Sequence, residues 1–185
     1  MILVVDMNCK KDSLGFHEFV LPIIEVIKPL DKWSVKHYLE VSDADLNHCD
    51  GVILSGNALK DVATLNQPEK FQWLKATEKP ILGICAGMET IGVVFGARLT
   101  RFLEIGMTAV KTVKENPLCQ GDFKVYSLHS VCVEPSVDFE VWAKSAQCVQ
   151  VIKHKRKRIH GVLFHPEVRN QEILKRFVQV EKIQQ

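Results

Sequence analysis

Along the first hundred residues two hydrophobic patterns take turns. One is a short unbroken apolar run, at residues 1–5 (Met-Ile-Leu-Val-Val), 51–54 (Gly-Val-Ile-Leu) and 80–84 (Pro-Ile-Leu-Gly-Ile). Such runs suit central strands of a parallel sheet covered on both faces. The other has helical spacing: over residues 13–28 it carries Leu14, Phe19, Val20, Ile23, Ile24 and Ile27, with a kink expected at Pro22. Residues 33–39 alternate apolar and polar like a further strand, and residues 43–47 fit one helical turn. Pro68 suits the first turn of a helix carrying Phe71, Trp73 and Leu74, and residues 86–95 form a helix closing at Gly96. Strands alternating with helices in this way predict an α/β fold with a parallel sheet flanked by helices.

The second half is richer in strands. Residues 107–113, 123–128, 139–143, 148–153 and 159–164 have strand character, which makes the sheet mixed although mostly parallel. A final helix over residues 170–183 places Ile173, Leu174, Phe177 and Val178 on one face. The basic run 153–158 (Lys-His-Lys-Arg-Lys-Arg) lies between two strands; it fits a solvated hairpin turn first, and a docking patch for an acidic surface or phosphate second. No repeat or linker interrupts the chain, so residues 1–185 are read as one domain.

Composition narrows the function classes. The formal net charge is +2, from 24 Lys and Arg against 22 Asp and Glu, which gives no field of the kind a nucleic-acid binder needs. No stretch approaches the ~20 apolar residues of a membrane span, and the opening apolar run is short and lacks a basic leader. The six cysteines include no C-x-x-C pair, which disfavours both a zinc site and a disulfide scaffold and predicts a reducing cytoplasm.

The chemistry concentrates in Gly83-Ile84-Cys85-Ala86-Gly87, a cysteine between small residues at a strand-to-helix junction. That pattern fits a nucleophile elbow, and the positive end of a helix favours a thiolate there. Taken alone, it fits a small buried core cysteine equally well. Eighty residues downstream, Phe164-His165-Pro166-Glu167 puts a histidine at a strand end with a carboxylate two positions on. Cys85, His165 and Glu167 supply the nucleophile, base and orienting group of a triad. A second loop, Ser55-Gly56-Asn57-Ala58, follows the strand 51–54 at the carboxyl edge where open α/β sheets bind ligands.

In this order and spacing, these motifs make the chain resemble the class I (triad) glutamine amidotransferases over most of its length. The resemblance implies a three-layer, flavodoxin-like mixed sheet and hydrolysis of the glutamine side-chain amide through a γ-glutamyl thioester. Ammonia would pass to a partner, an ATP-dependent synthetase subunit. The length and the Gly161-Val162 to Val168 ending are most similar to the free-standing subunits that serve GMP synthetase. Cys85 would be the nucleophile, His165 the base and acid, and Glu167 its orienter. The backbone N–H groups of Ala86 and Asn57 would hold the oxyanion, and Gly56, Glu89, Leu128 and His129 would lie against substrate. No metal or organic cofactor is implied.

The chain departs from that family's pattern in the pocket. Asn57 and Ala58 stand where members carry a glycine and a proline, and Glu89 where they carry a glutamine. Leu128 and Val131 replace the serine and aspartate of a Ser-His-x-Asp segment around His129. An acid at position 89 disfavours a substrate carboxylate nearby. Two alternatives therefore accompany the glutaminase reading: hydrolysis of another amide or γ-glutamyl compound on the same triad, and a regulatory or binding module with little turnover.

Overall fold

In the computed structural model, which describes residues 1–183, nine strands form a single sheet in the order β2-β1-β3-β4-β9-β8-β7-β5-β6. The parallel half consists of β1 (Ile2–Asp6), β2 (Trp33–His37), β3 (Gly51–Leu54), β4 (Ile81–Ile84) and β9 (Ile159–Val162). Every residue of β1, β3, β4 and β9 is buried, as unbroken apolar runs require.

Helices cover both faces. Val4, Ile53 and Leu82 point to the layer holding Ile23 and Ile27 of α1 (Leu21–Ile27) and Leu174 and Phe177 of α5 (Glu172–Ile183). Their neighbours Leu3, Val52 and Ile81 face the other layer. There they meet Leu46 of α2 (Asp43–His48), Leu74 of α3 (Trp73–Ala76), and Met88 and Ile91 of α4 (Ala86–Val94). Each such aliphatic side chain contributes about 1.5–3 kcal/mol by leaving water, so both parities of the central strands are committed to core. The expected three-layer α/β architecture is present.

Two local expectations are corrected. Pro22 does not kink a helix; a π-helical turn, Phe16–Val20, ends just before α1, and Pro22 lies in the first turn of α1. A proline there leaves no helical hydrogen bond unmade. The stretch opened by Pro68 is a 3-10 turn, Pro68–Phe71, followed by the short α3 rather than one continuous helix.

The antiparallel half contains β5 (Arg98–Thr112), β6 (Asp122–Glu134), β7 (Phe139–Lys144) and β8 (Val149–His154). The β5–β6 hairpin is much longer than the expected segments 107–113 and 123–128. Only Lys111 and Thr112 of β5 pair with β7, so most of the ribbon is released from the sheet. It folds back over the carboxyl edge: the His165 N–H donates to the Tyr126 carbonyl at 2.9 Å. The fold-back also brings Cys132 and Cys148 together in a disulfide, contrary to the expectation of a fully reduced chain. The basic run forms the β8–β9 turn, where Lys157 Nζ donates to Glu78 Oε1 at 2.6 Å and to the Thr77 carbonyl at 3.0 Å. No helix among the described residues is long and apolar enough to cross a membrane.

Candidate active site

Cys85 sits between β4 and α4 with φ 47° and ψ −106°, a backbone conformation that L residues rarely adopt. Packing enforces it. A Cβ on Gly83 would come within 2.6 Å of the Gly87 backbone, and one on Gly87 within 2.6 Å of the Leu54 carbonyl oxygen. The small residues of Gly-x-Cys-x-Gly therefore let α4 press against the sheet while the cysteine stands at its edge. The Cys85 N–H donates to the Val162 carbonyl at 2.8 Å, and the thiol donates to the Leu128 carbonyl at 3.4 Å.

His165 leaves the end of β9 and is 1% exposed. Its Nδ1 lies 2.7 Å from Glu167 Oε1; with a carboxylate as acceptor, the proton belongs on Nδ1. That leaves Nε2, which has no regular hydrogen bond, as the basic atom beside the Cys85 thiol. Burial works against a cation at His165, but Glu167 and Cys85 outweigh it and hold the imidazole well above its ordinary range. Burial pushes the Cys85 thiol up, with the His165 charge opposing. The pair is thus a buried thiol next to a strengthened base, the arrangement needed for thiol acyl transfer. Cys85, His165 and Glu167, separate in sequence, are brought together as expected.

The loop after β3 closes one side. A Cβ on Gly56 would fall 2.6 Å from His165 Cε1, so only glycine permits the imidazole to pack there. Ser55 Oγ accepts from the Met7 N–H at 3.1 Å and donates to the Gly56 carbonyl at 2.8 Å, and the Asn57 side-chain amide donates to the Met7 carbonyl at 3.3 Å. Asn57, Ala58, Cys85, Glu89, Leu128 and His129 line one narrow cavity of about 30 Å³, roughly the volume of one water. A far roomier hollow of about 720 Å³, bordered by Asp50, Lys79 and Arg158, lies at the opposite, amino edge of the sheet and contains no nucleophile. The chemistry therefore belongs to the smaller space.

Glu89 follows Cys85 by one helical turn, its N–H donating to the Cys85 carbonyl at 2.9 Å. The side chain is 7% exposed, and among the described residues its carboxyl has neither a hydrogen bond nor an ion pair. Burial raises its pKa to about 7, opposed by the charge on His165. It is a wall of the cavity, not a solvent-facing helix residue. His129 is also buried and lies 3.0 Å from Glu104 Oε2 through Nε2.

Three contributors escaped the sequence reading. Phe19 packs on the His165 ring at 5.5 Å between centroids, and its helical spacing marked it only as core. The Leu128 and Tyr126 carbonyls act through the backbone, which side-chain motifs do not reveal. Glu104 meets His129 through hairpin register, which pairs the two residues.

Comparison with known proteins agrees with this geometry. The family model described as "Glutamine amidotransferase class-I" matches residues 27–183. The smaller, glutamine-hydrolyzing subunit of a GMP synthase from Methanococcus maripaludis is 38% identical over 138 residues, covering 69% of this chain and 71% of that protein. Component 2 of anthranilate synthase from Archaeoglobus fulgidus is 34% identical over 178 residues, covering 90% and 88%. A crystal structure of a Thermoplasma acidophilum protein superposes with a TM-score of 0.84 over 100% of this chain and 96% of the other, at 24% identity.

Proposed function

Because the chain belongs to the class-I glutamine amidotransferase family, we propose that it hydrolyses the side-chain amide of glutamine and delivers ammonia to a synthetase partner, one that makes GMP. The observation that carries this reading is the meeting of Cys85, His165 and Glu167 at a strained elbow. The GMP assignment draws on the similarity to the Methanococcus maripaludis protein.

In the first half-reaction, His165 Nε2 takes the thiol proton as Sγ bonds to the carboxamide carbon. The resulting oxyanion is held by backbone N–H groups of Ala86, which opens α4, and Asn57; each such donor is worth on the order of 3 kcal/mol in the transition state. The C–N bond then breaks, His165 returns the proton to the departing ammonia, and a γ-glutamyl thioester remains. In the second half-reaction, His165 removes a proton from water, which attacks the thioester carbon; glutamate leaves and the thiol is restored. Glu167 keeps Nδ1 protonated and stabilises the imidazolium formed in each half.

A cavity of about 30 Å³ does not hold glutamine, so the loop 57–65 moves away from the ribbon segment 128–131 before substrate binds. Docking of the synthetase supplies that opening. Leu103, Ile105 and Met107 stand exposed on the outer face of β5, a surface such a partner would cover. The test is ammonia release from glutamine with and without a GMP-forming synthetase. Stimulation that depends on Cys85 is expected. Cys85-dependent cleavage of a different γ-glutamyl amide, with glutamine refused, favours the second reading; Glu89, a carboxyl in the pocket wall, is the observation behind that alternative.

A further inference from the structure

We propose that Cys132, Cys148, His129 and Glu104 form a redox-gated site for a divalent metal of the zinc type, closed by the disulfide and opened by its reduction. Glu104, His129 and Cys148 each offer a ligand atom, and these atoms lie within 4.8 Å of one another. Cys132 is bonded to Cys148, so reduction leaves a second sulfur beside the same group. Two thiolates, an imidazole and a carboxylate make a four-donor set that suits tetrahedral Zn²⁺, and a mixture of soft sulfur and nitrogen donors selects against Mg²⁺ and Ca²⁺.

The surroundings are built for ligation. His129, Cys132 and Cys148 are all buried. Hairpin register sets Glu104 opposite His129, with Nε2 and Oε2 3.0 Å apart. Gln150 Nε2 donates to that same Oε2 at 3.2 Å, fixing the carboxylate from behind. His129 Nδ1 is buried without a hydrogen bond of regular geometry among the described residues. Burial also keeps the imidazole below its ordinary range, in the neutral form that has a lone pair to give, although Glu104 pulls the other way.

Metal and disulfide exclude each other, since bonded sulfurs cannot act as thiolates. A dithiol reductant converts the disulfide into two thiols and leaves as its own disulfide; Zn²⁺ then binds with release of two protons. A peroxide reverses this: two electrons leave the thiolate pair, the S–S bond forms, the O–O bond breaks to give water, and the metal is freed. The exchange reaches the catalytic cavity directly, because His129 and Leu128 line it and the Leu128 carbonyl receives the Cys85 thiol. The proposal rests on this strand geometry and not on the glutaminase reading.

The experiment uses the full chain carrying Cys85→Ala, so that the nucleophile cannot supply the signal. After reduction with a phosphine and its removal, Co²⁺ is titrated without oxygen. The expected result is one Co²⁺ per chain, with a sulfur-to-cobalt charge-transfer band, the visible bands of tetrahedral cobalt, and displacement by Zn²⁺. Peroxide treatment abolishes the signal, and peptide mass spectrometry then finds Cys132 linked to Cys148. Cys148→Ser removes the charge-transfer band or halves it, and Gln150→Ala weakens binding by about tenfold. Should Cys148→Ser not fold, His129→Ala serves, leaving sulfur bands but losing affinity by more than about tenfold. Octahedral cobalt spectra without sulfur bands, equal binding by the disulfide form, or a spectrum unchanged in these variants would each overturn the proposal.

Discussion

Glu89 is a carboxyl one helical turn beyond the nucleophile, walled into the catalytic cavity with no hydrogen-bond partner among the described residues. Its pKa of about 7 makes it largely neutral below neutrality, when it has the shape of a glutamine side chain and can donate a hydrogen bond; above, it carries a charge that repels a substrate carboxylate. The KM for glutamine should therefore rise as pH passes from 6 to 8 in the wild type, and stay flat in Glu89→Gln. The same shift governs stability. The folded state holds this proton more tightly than the unfolded chain does, so stability is lost as pH rises from about 4.5 to about 7, by on the order of 3 kcal/mol in total. Denaturant titration should show Glu89→Gln gaining most over wild type at pH 8 and least at pH 5. Glu167 acts through His165, so Glu167→Gln should lower kcat by about 10²- to 10⁴-fold while leaving KM nearly unchanged.

At the scale of elements, the β4–α4 elbow could be read from the sequence because steric demand leaves a mark there: two glycines around a cysteine at the end of an apolar run. The central strands were equally plain, since burial on both faces permits only apolar residues. The β5–β6 ribbon was not. Its alternation of charged and apolar residues over 98–106 leaves one face open, a weaker signal than a buried run, and its fold-back depends on pairing with β7 stopping at Thr112. That fold-back made the Cys132–Cys148 pairing and the Glu104–His129 contact invisible to spacing rules, because their partners lie on different strands. The π turn before Pro22 likewise has no periodic signature. Exposure of Ile105 and Met107 at 59% and 53% means that Ile105→Glu and Met107→Glu should leave folding and partner-free activity intact. If the ribbon is the docking face, either change cuts synthetase-stimulated ammonia release by about tenfold or more, as a charge introduced into a covered apolar patch does.

For the molecule as a whole, two buried groups shape stability against pH in opposite directions. His160, packed against Trp142 and Phe177, is held neutral by burial, its pKa lowered to about 3. The unfolded chain takes up this proton first, so the contribution of His160 is present above about pH 6.5 and is lost as pH falls toward 3. The loss is on the order of 2 kcal/mol by pH 5. Glu89 removes stability as pH rises toward 7, so the two place the optimum near pH 6 to 7 rather than at the pI of about 8.2. Replacing His160 by Phe should flatten the acid side, provided the ring fits the same aromatic pocket.

Everything proposed about catalysis passes through one sulfur. The most direct measurement is glutamine-dependent ammonia and glutamate release by wild type and Cys85→Ala, each with a GMP-forming synthetase present and with matched circular dichroism. The account predicts equal amounts of ammonia and glutamate from wild type, stimulated by the partner, and a loss of at least about 10³-fold in Cys85→Ala with the fold unchanged. Glutamine hydrolysis that persists in a folded Cys85→Ala protein would contradict it.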